Sequence, residues 1–223
     1  MVLYEYISRI FIKNIRINNS RRRCLPVARG KKVFTEEDKI LIKSKLKDEC
    51  MAFWLSQGYK ETSIGALCEK TEISTGTFYK FYSSKEELFF EVLHDLQETI
   101  YGNFIEQIKQ HPEKVGFETA IIQLYYEYES KPFLYDVKTT DFTSFYSKLS
   151  EEMKDKLAFD SNDLFRTAIK RANLKLKVSE NLAFSTFTVL LSSIASKEGT
   201  SKNCDHLTAF QFMTKQLVAS IFE

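Results

Sequence analysis

The sequence predicts an all-α chain, a small N-terminal three-helix unit followed by a larger helical domain. Only 7 Gly and 3 Pro interrupt 223 residues, so few positions force the backbone out of helix. Apolar residues return every three or four positions along most of the chain, the helical period. Between Thr62 and Leu88, three Ser/Thr clusters stand where helix starts are expected, which leaves no room for strands.

Thr62 or Ser63 can cap a first short helix by accepting a bond from its free backbone N–H groups. Ile64, Leu67 and Cys68 then share one face. Ser74 offers a second cap, and Phe78 with Phe81 or Tyr82 returns an apolar face. Ser84, with Glu87 three residues on, forms a capping box that opens a long helix ending near Gln110, before His111-Pro112. Two short helices joined by a tight turn and followed by a capped third can set a helix in a DNA groove.

Helical periodicity recurs at Val115–Ser130, Asp141–Leu157, Asn162–Leu176, Ser179–Ser196 and Asp205–Phe222. The expected breaks are Lys131-Pro132, Asp160-Ser161, Val178 and Gly199–Asn203. The last two segments carry wide apolar faces: Leu182, Phe187, Leu190, Leu191 and Ile194 on one, and Leu207, Phe210, Met213, Leu217 and Ile221 on the other.

The stretch S-T-G-T-F-Y-K-F-Y-S-S-K-E-E-L, Ser74 to Leu88, resembles the recognition helix and following helix start of the tetracycline-repressor (TetR) family of transcription regulators. Leu46, Cys50, Phe53 and Trp54, then Gly58-Tyr59, resemble that family's first helix and its glycine stop, so the likeness spans about Thr35 to Leu93. It implies a helix-turn-helix DNA-binding domain over 35–84 and a helical ligand-binding and dimerisation domain over 85–223; residues 1–34, outside the likeness, are read as a basic N-terminal extension, disordered or mis-started. Two positions depart from the pattern. Glu72 stands where the family usually has glycine, at a cost of about 1 kcal/mol if the turn needs positive φ. Gly65 stands where a polar or charged residue is common, which removes one DNA contact and lowers helix propensity.

Physical reasoning points the first turn of the recognition helix, Thr75, Gly76 and Thr77, toward base edges. Hydroxyls bond several bases there, and Gly76 lets the backbone approach closely. The resemblance adds Tyr79 on phosphate, Lys80 on phosphate or base, and Lys85 and Thr62 on phosphate. Lys85 has an independent argument as an ammonium beside the free N–H groups of a helix N-terminus. Phe78, with apolar neighbours at helical spacing, is read as core. The resemblance also implies a homodimer through Ser179–Ser196 and Asp205–Phe222, and hence a palindromic double-stranded operator. Closure of the monomer core by the same two helices is the competing reading.

An aromatic-rich stretch, Phe117 through Tyr146, includes Tyr125, Tyr126, Tyr128, Phe133, Tyr135, Phe142 and Phe145. Tyrosines are costly to bury without a partner for the hydroxyl, so the stretch suggests a cavity as well as a core. Tyr125, Tyr128 and Phe145 are the candidate ligand residues. With Glu118, Glu127 or Glu129 nearby, the expected inducer is lipophilic or aromatic and can be cationic.

The net charge of +2 hides an asymmetry. Residues 1–34 carry nine Lys or Arg against one acid (+8), residues 35–84 seven against eight (−1), and the remainder 16 against 21 (−5). Arg21, Arg22, Arg23, Arg29, Lys31 and Lys32 suit a DNA-binding arm. A solvated tail, or upstream sequence read from a wrongly placed start, is the reading set ahead of that arm, and a membrane-surface helix is set behind it. Cys24, Cys50, Cys68 and Cys204 form no C-x-x-C pair, so neither a disulfide framework nor a zinc site is expected, and Cys50 and Cys68 are read as core. Nothing suggests a cofactor, a membrane span or a secretion signal, and a cytoplasmic location is expected. Enzymatic function lacks a phosphate loop or a nucleophile grouping, and His94, His111 and His206 each sit alone in sequence. A DNA-binding regulator controlled by a protein partner, or by nothing at all, is the alternative to ligand control.

Overall fold

Seven side chains punctuate the chain. Ser63, Ser74, Ser84, Thr139, Ser150, Ser179 and Asp205 each accept a hydrogen bond from a backbone N–H three residues on, and each opens a helix. Such caps contribute about 0.5–2 kcal/mol apiece, because the first N–H groups of a helix have no partner within it. The computed structural model describes residues 34–134, 139–158, 161–195 and 205–223. The helices are α1 (Glu36–Glu61), α2 (Ile64–Thr71), α3 (Thr75–Phe78), α4 (Lys85–Gln110) and α5 (Lys114–Ser130), then α6 (Thr140–Tyr146), α7 (Glu151–Leu157), α8 (Ser161–Arg171), α9 (Glu180–Ser192) and α10 (His206–Ile221). A 3-10 turn, Pro132–Leu134, lies between α5 and α6. Among the described residues the one extended pairing is an antiparallel bridge, Leu176 to Phe222.

On α1 the buried residues Ile42, Leu46, Cys50 and Trp54 stand four apart, a single stripe down the helix. Gly58 interrupts α1 with φ +83° and ψ 175°, and the backbone kinks there before one further turn to Glu61. The stop expected at Gly58-Tyr59 is therefore a kink. Glu72 ends α2 in the left-handed region, φ 59° and ψ 38°, with its N–H on the Cys68 and Glu69 carbonyls. That is the strained turn its side chain predicts. The Glu87 carboxylate reaches back to the N–H and hydroxyl of Ser83, both 2.6 Å, so this half of the expected capping box closes on Ser83 rather than Ser84.

At 26 residues α4 spans about 39 Å. α5 packs along it and α8 beside it, while α10 packs on α5 and α9. Their shared core is phenylalanine-rich: Phe117 meets Phe104, Phe165, Phe187 and Phe222 edge-on at 5.2–6.3 Å. Gly116 is required beside it, because a Cβ there would lie 1.5 Å from the His111 carbonyl oxygen. Between α1 and α4, Lys47 pairs with Glu91 and Asp95, both at 2.6 Å.

Two expected spans are corrected. The Asp141–Leu157 helix divides into α6 and α7, since Ser150 caps a new start at Glu151. The Asn162–Leu176 helix ends at Arg171: Asn173 turns left-handed at φ 53°, and Leu176 joins the bridge to Phe222. From Glu37 onward the described residues form one compact unit. The arm arginines and lysines, Cys24, Cys204, Tyr135 and the Gly199–Asn203 break lie outside the described residues, as does Asp160.

Candidate nucleic-acid interface and ligand cavity

The Ser74 hydroxyl accepts from the Thr77 N–H at 3.1 Å and lies 2.9 Å from the Thr77 hydroxyl, which fixes the start of α3. Thr75, Gly76 and Lys80 are exposed, Thr77 is half-buried, and Tyr79 is 54% exposed. Phe78 and Tyr82 are buried beneath them, so one face of this segment anchors it and the other is presented to solvent.

Two of the sequence-derived residues are turned inward. Thr62 is 1% exposed and its hydroxyl donates to the Gly58 carbonyl at 2.7 Å; the cap of α2 is Ser63. A phosphate contact through the Thr62 side chain would have to break that bond. The Lys85 ammonium donates to the carbonyls of Tyr59 (2.7 Å) and Thr62 (2.8 Å) and stands 4.0 Å from the centre of the Tyr59 ring. It satisfies carbonyls left open where α1 ends, and burial lowers its pKa from the usual lysine value.

Tyr59 is the hub of this junction. Its N–H and that of Lys60, left without helical partners by the Gly58 kink, donate to the Asp141 carboxylate of α6 at 2.8 and 2.9 Å. Its phenol donates to Glu86 and accepts from the Lys148 ammonium at 3.1 Å. Its ring packs on Phe89 and Phe145. Burial, then the bond to Glu86, pushes the Tyr59 phenol well above its ordinary value. Burial opposes ionisation of Glu86, but the Tyr59 hydrogen bond and Lys148 bring its pKa net below the usual carboxylate value.

A cavity of about 470 Å³ opens beside this junction. Among the described residues it is lined by Leu93 and Gln97 of α4, Phe133 and Leu134 of the 3-10 turn, Leu157 of α7, and one face of α6 with the residue after it: Phe142, Thr143, Tyr146 and Ser147. Among the described residues no charged side chain lines it. Tyr125, Tyr128 and Phe145 are not brought together. Tyr125 is buried against Phe210 with its hydroxyl 3.1 Å from His206 Nδ1, Tyr128 packs on the same core, and Phe145 is buried against Trp54, Tyr59 and Phe89. The aromatic stretch does border a cavity, through Phe133, Phe142 and Tyr146. Trp54, stacked on Phe133 at 4.4 Å, is buried with an indole N–H that has no acceptor among the described residues.

On α9 and α10 the apolar faces divide between core and surface. Phe187, Leu190, Ile194, Phe210 and Ile221 are buried within the monomer, whereas Leu182, Val189, Phe212 and Met213 are exposed. Cys50 and Cys68 are buried and free. Among the described residues no group of three or more His, Cys, Asp or Glu could hold a metal ion, and no helix is long and apolar enough to cross a membrane.

Residues 51–92, from α1 into α4, match the family model described as bacterial regulatory proteins, tetR family. No curated protein matches the chain in sequence. Among solved structures, FadR from Bacillus subtilis in complex with stearoyl-CoA is similar at TM-score 0.57 and 14% identity, over 80% of this chain and 98% of that one. A putative TetR-family transcriptional regulator from Mesorhizobium loti is similar at TM-score 0.57 and 18% identity, over 83% and 96%. FadR from Thermus thermophilus in complex with lauroyl-CoA gives 0.50 and 15%, over 79% and 93%. At these identities the structures speak to the fold, and the fold agrees with the sequence match. Residues 51–92 thus match the model of the tetR family of bacterial regulatory proteins, and the chain shares its helical fold with regulators of that family.

Proposed function

We propose that this protein is a ligand-responsive repressor that binds a palindromic operator as a homodimer. The observation that carries the reading is α3, an anchored helical turn whose outer residues Thr75, Gly76, Tyr79 and Lys80 are exposed beside a capped helix start. Thr75 and Thr77 read base edges, with the Gly76 backbone close to the groove floor, while Tyr79 and Lys80 hold phosphate. Lys85 braces the end of α1 first and reaches phosphate with its remaining N–H. Thr62 supports the turn from within. DNA binding belongs to residues 35–84, and ligand binding and dimerisation to 85–223.

The uncharged walls of the α4–α6–α7 cavity suit a lipophilic or aromatic inducer, with Gln97, Thr143 and Ser147 available for one or two hydrogen bonds. The acyl groups held by the Bacillus and Thermus relatives have the same apolar character. Dimerisation uses the exposed residues of α9 and α10; Leu182, Val189, Phe212 and Met213 are large apolar groups on helices that carry only Glu180 and Lys215 as charges.

Fluorescence anisotropy on DNA from upstream of the protein's own gene, against scrambled DNA at near-physiological salt, tests the regulator. Nanomolar binding to the native fragment, about a thousand-fold tighter than to the scramble, is expected. Equal, salt-sensitive binding to both would remove the sequence-specific reading for that fragment.

A further inference from the structure

We propose that Asp141 is the positioning residue that holds the turn at the Gly58 kink and releases it when α6 shifts at the cavity; this rests on the ligand-responsive reading above. The inference comes from the two faces of one short helix. Asp141, Phe145 and Lys148 fall at i, i+4 and i+7, on one side of α6 and the turn after it. All three grip Tyr59: Asp141 its N–H, Phe145 its ring, Lys148 its hydroxyl. Phe142, Thr143, Tyr146 and Ser147 fall on the opposite side, and all four line the cavity. A rotation or shift of α6 that makes room for a guest moves both sides together, because seven residues of helix do not flex internally.

The gripped element is sensitive to such a shift. Gly58 leaves the Tyr59 and Lys60 N–H groups without helical acceptors, and the Asp141 carboxylate supplies the acceptor for both. A Cβ added at Gly58 would lie 2.9 Å from Asp141 Oδ2, so the kink and the carboxylate are closely fitted. Lys85 closes the same turn from below through the Tyr59 and Thr62 carbonyls, and two residues beyond Lys60 lies Thr62, from which α2 departs. Retracting Asp141 releases the turn that sets the direction of α2 and α3. The long helix α4 carries the cavity's other wall and also bonds the end of α1 through Lys85 and Glu86, while α6 supplies the acceptor for the Tyr59 and Lys60 N–H groups.

The test uses the full chain and no inducer. Thr143→Trp fills the cavity from the α6 side, with Ser147→Phe as a second filler should the first fail to fold, and Asp141→Asn weakens the clamp on the opposite side. Amide hydrogen exchange at Tyr59 and Lys60 is followed by NMR, together with affinity for a duplex selected from a random pool by the unaltered protein. Each single change should speed exchange at both amides and weaken duplex binding by about ten-fold. The double variant should lose no more than the larger single effect. Unchanged exchange at Tyr59 and Lys60 in both cavity fillers, or effects that simply add in the double variant, would overturn the proposal. If the unaltered protein selects no duplex, the operator reading fails by itself, and the exchange measurement still decides the clamp.

Discussion

The protein carries two aromatic clusters, and they are built differently. The one where α4, α5, α8, α9 and α10 meet is almost wholly phenylalanine: Phe104, Phe117, Phe165, Phe187 and Phe222. The one where α1, α4 and α6 meet mixes Phe89 and Phe145 with Trp54 and Tyr59, and its tyrosine binds a carboxylate, an ammonium and, through its backbone, a second carboxylate. A phenylalanine core gains from excluded water and edge-on ring contacts, and it has no polar atom to direct. A tyrosine junction gains less from burial, yet each hydrogen bond fixes a direction. The first cluster gives the fold its stability, and the second aligns its parts.

The sharpest way to break this contrast is in the phenylalanine core. Phe117→Ala should cost about 3–5 kcal/mol in urea unfolding, since Phe117 is fully buried among four other rings. A loss below about 2 kcal/mol would mean that the core collapses into the space and is less rigid than its ring contacts suggest. Tyr59→Phe keeps the ring and removes the hydroxyl from Glu86 and Lys148, and should cost about 1.5 kcal/mol in the same measurement. Glu72→Gly lies outside both clusters and should stabilise by about 1 kcal/mol, by relieving a left-handed backbone. A destabilisation there would show that the Glu72 side chain contributes more than its strain costs.

The smallest effect is a pH signature to which the tyrosine junction and the α1–α4 ion pairs contribute. Glu86 and Glu91 both have folded-state pKa values below the ordinary 4.5, despite burial, through Tyr59 for one and Lys47 for the other. A depressed carboxylate contributes stability that is present above its unfolded value and lost as pH falls through its folded value. Unfolding midpoints should therefore drop as pH falls below about 4.5, and the slope should be shallower in Tyr59→Phe. Equal slopes in both proteins would take Glu86 out of the account.

Local chemistry is legible in the sequence. Ser63, Ser74 and Ser84 cap where capping residues are expected, α4 stops at Gln110, Phe78 is core, and Glu72 occupies the left-handed turn. What escapes depends on distance along the chain. Asp141 reads as an ordinary acid in the first turn of a helix, because its partners are more than 80 residues away. The structural side of Lys85 escapes too, because sequence gives no sign that the carbonyls of Tyr59 and Thr62 converge on it. Aromatic density points to a cavity at Tyr125, Tyr128 and Phe145, where rings pack closed, and the cavity lies instead beside Phe133, Phe142 and Tyr146. Periodicity marks which side of a helix is apolar and not what covers it, so it does not sort Phe187 and Val189, two residues apart, into core and surface. One miss has a visible signal: Ser150-Glu151-Glu152 has the chemistry of a helix start, as Ser84-Lys85-Glu86-Glu87 does, and marks the division between α6 and α7.

The chain has a single tryptophan, and Trp54 lies nearly parallel to Phe133 at 4.4 Å, one ring removed from the open cavity. The protein is thus fitted with an internal optical probe. Any guest that displaces Phe133 changes the packing and polarity around the indole, so intrinsic fluorescence can screen compounds with no label, no operator and no regulated gene in hand.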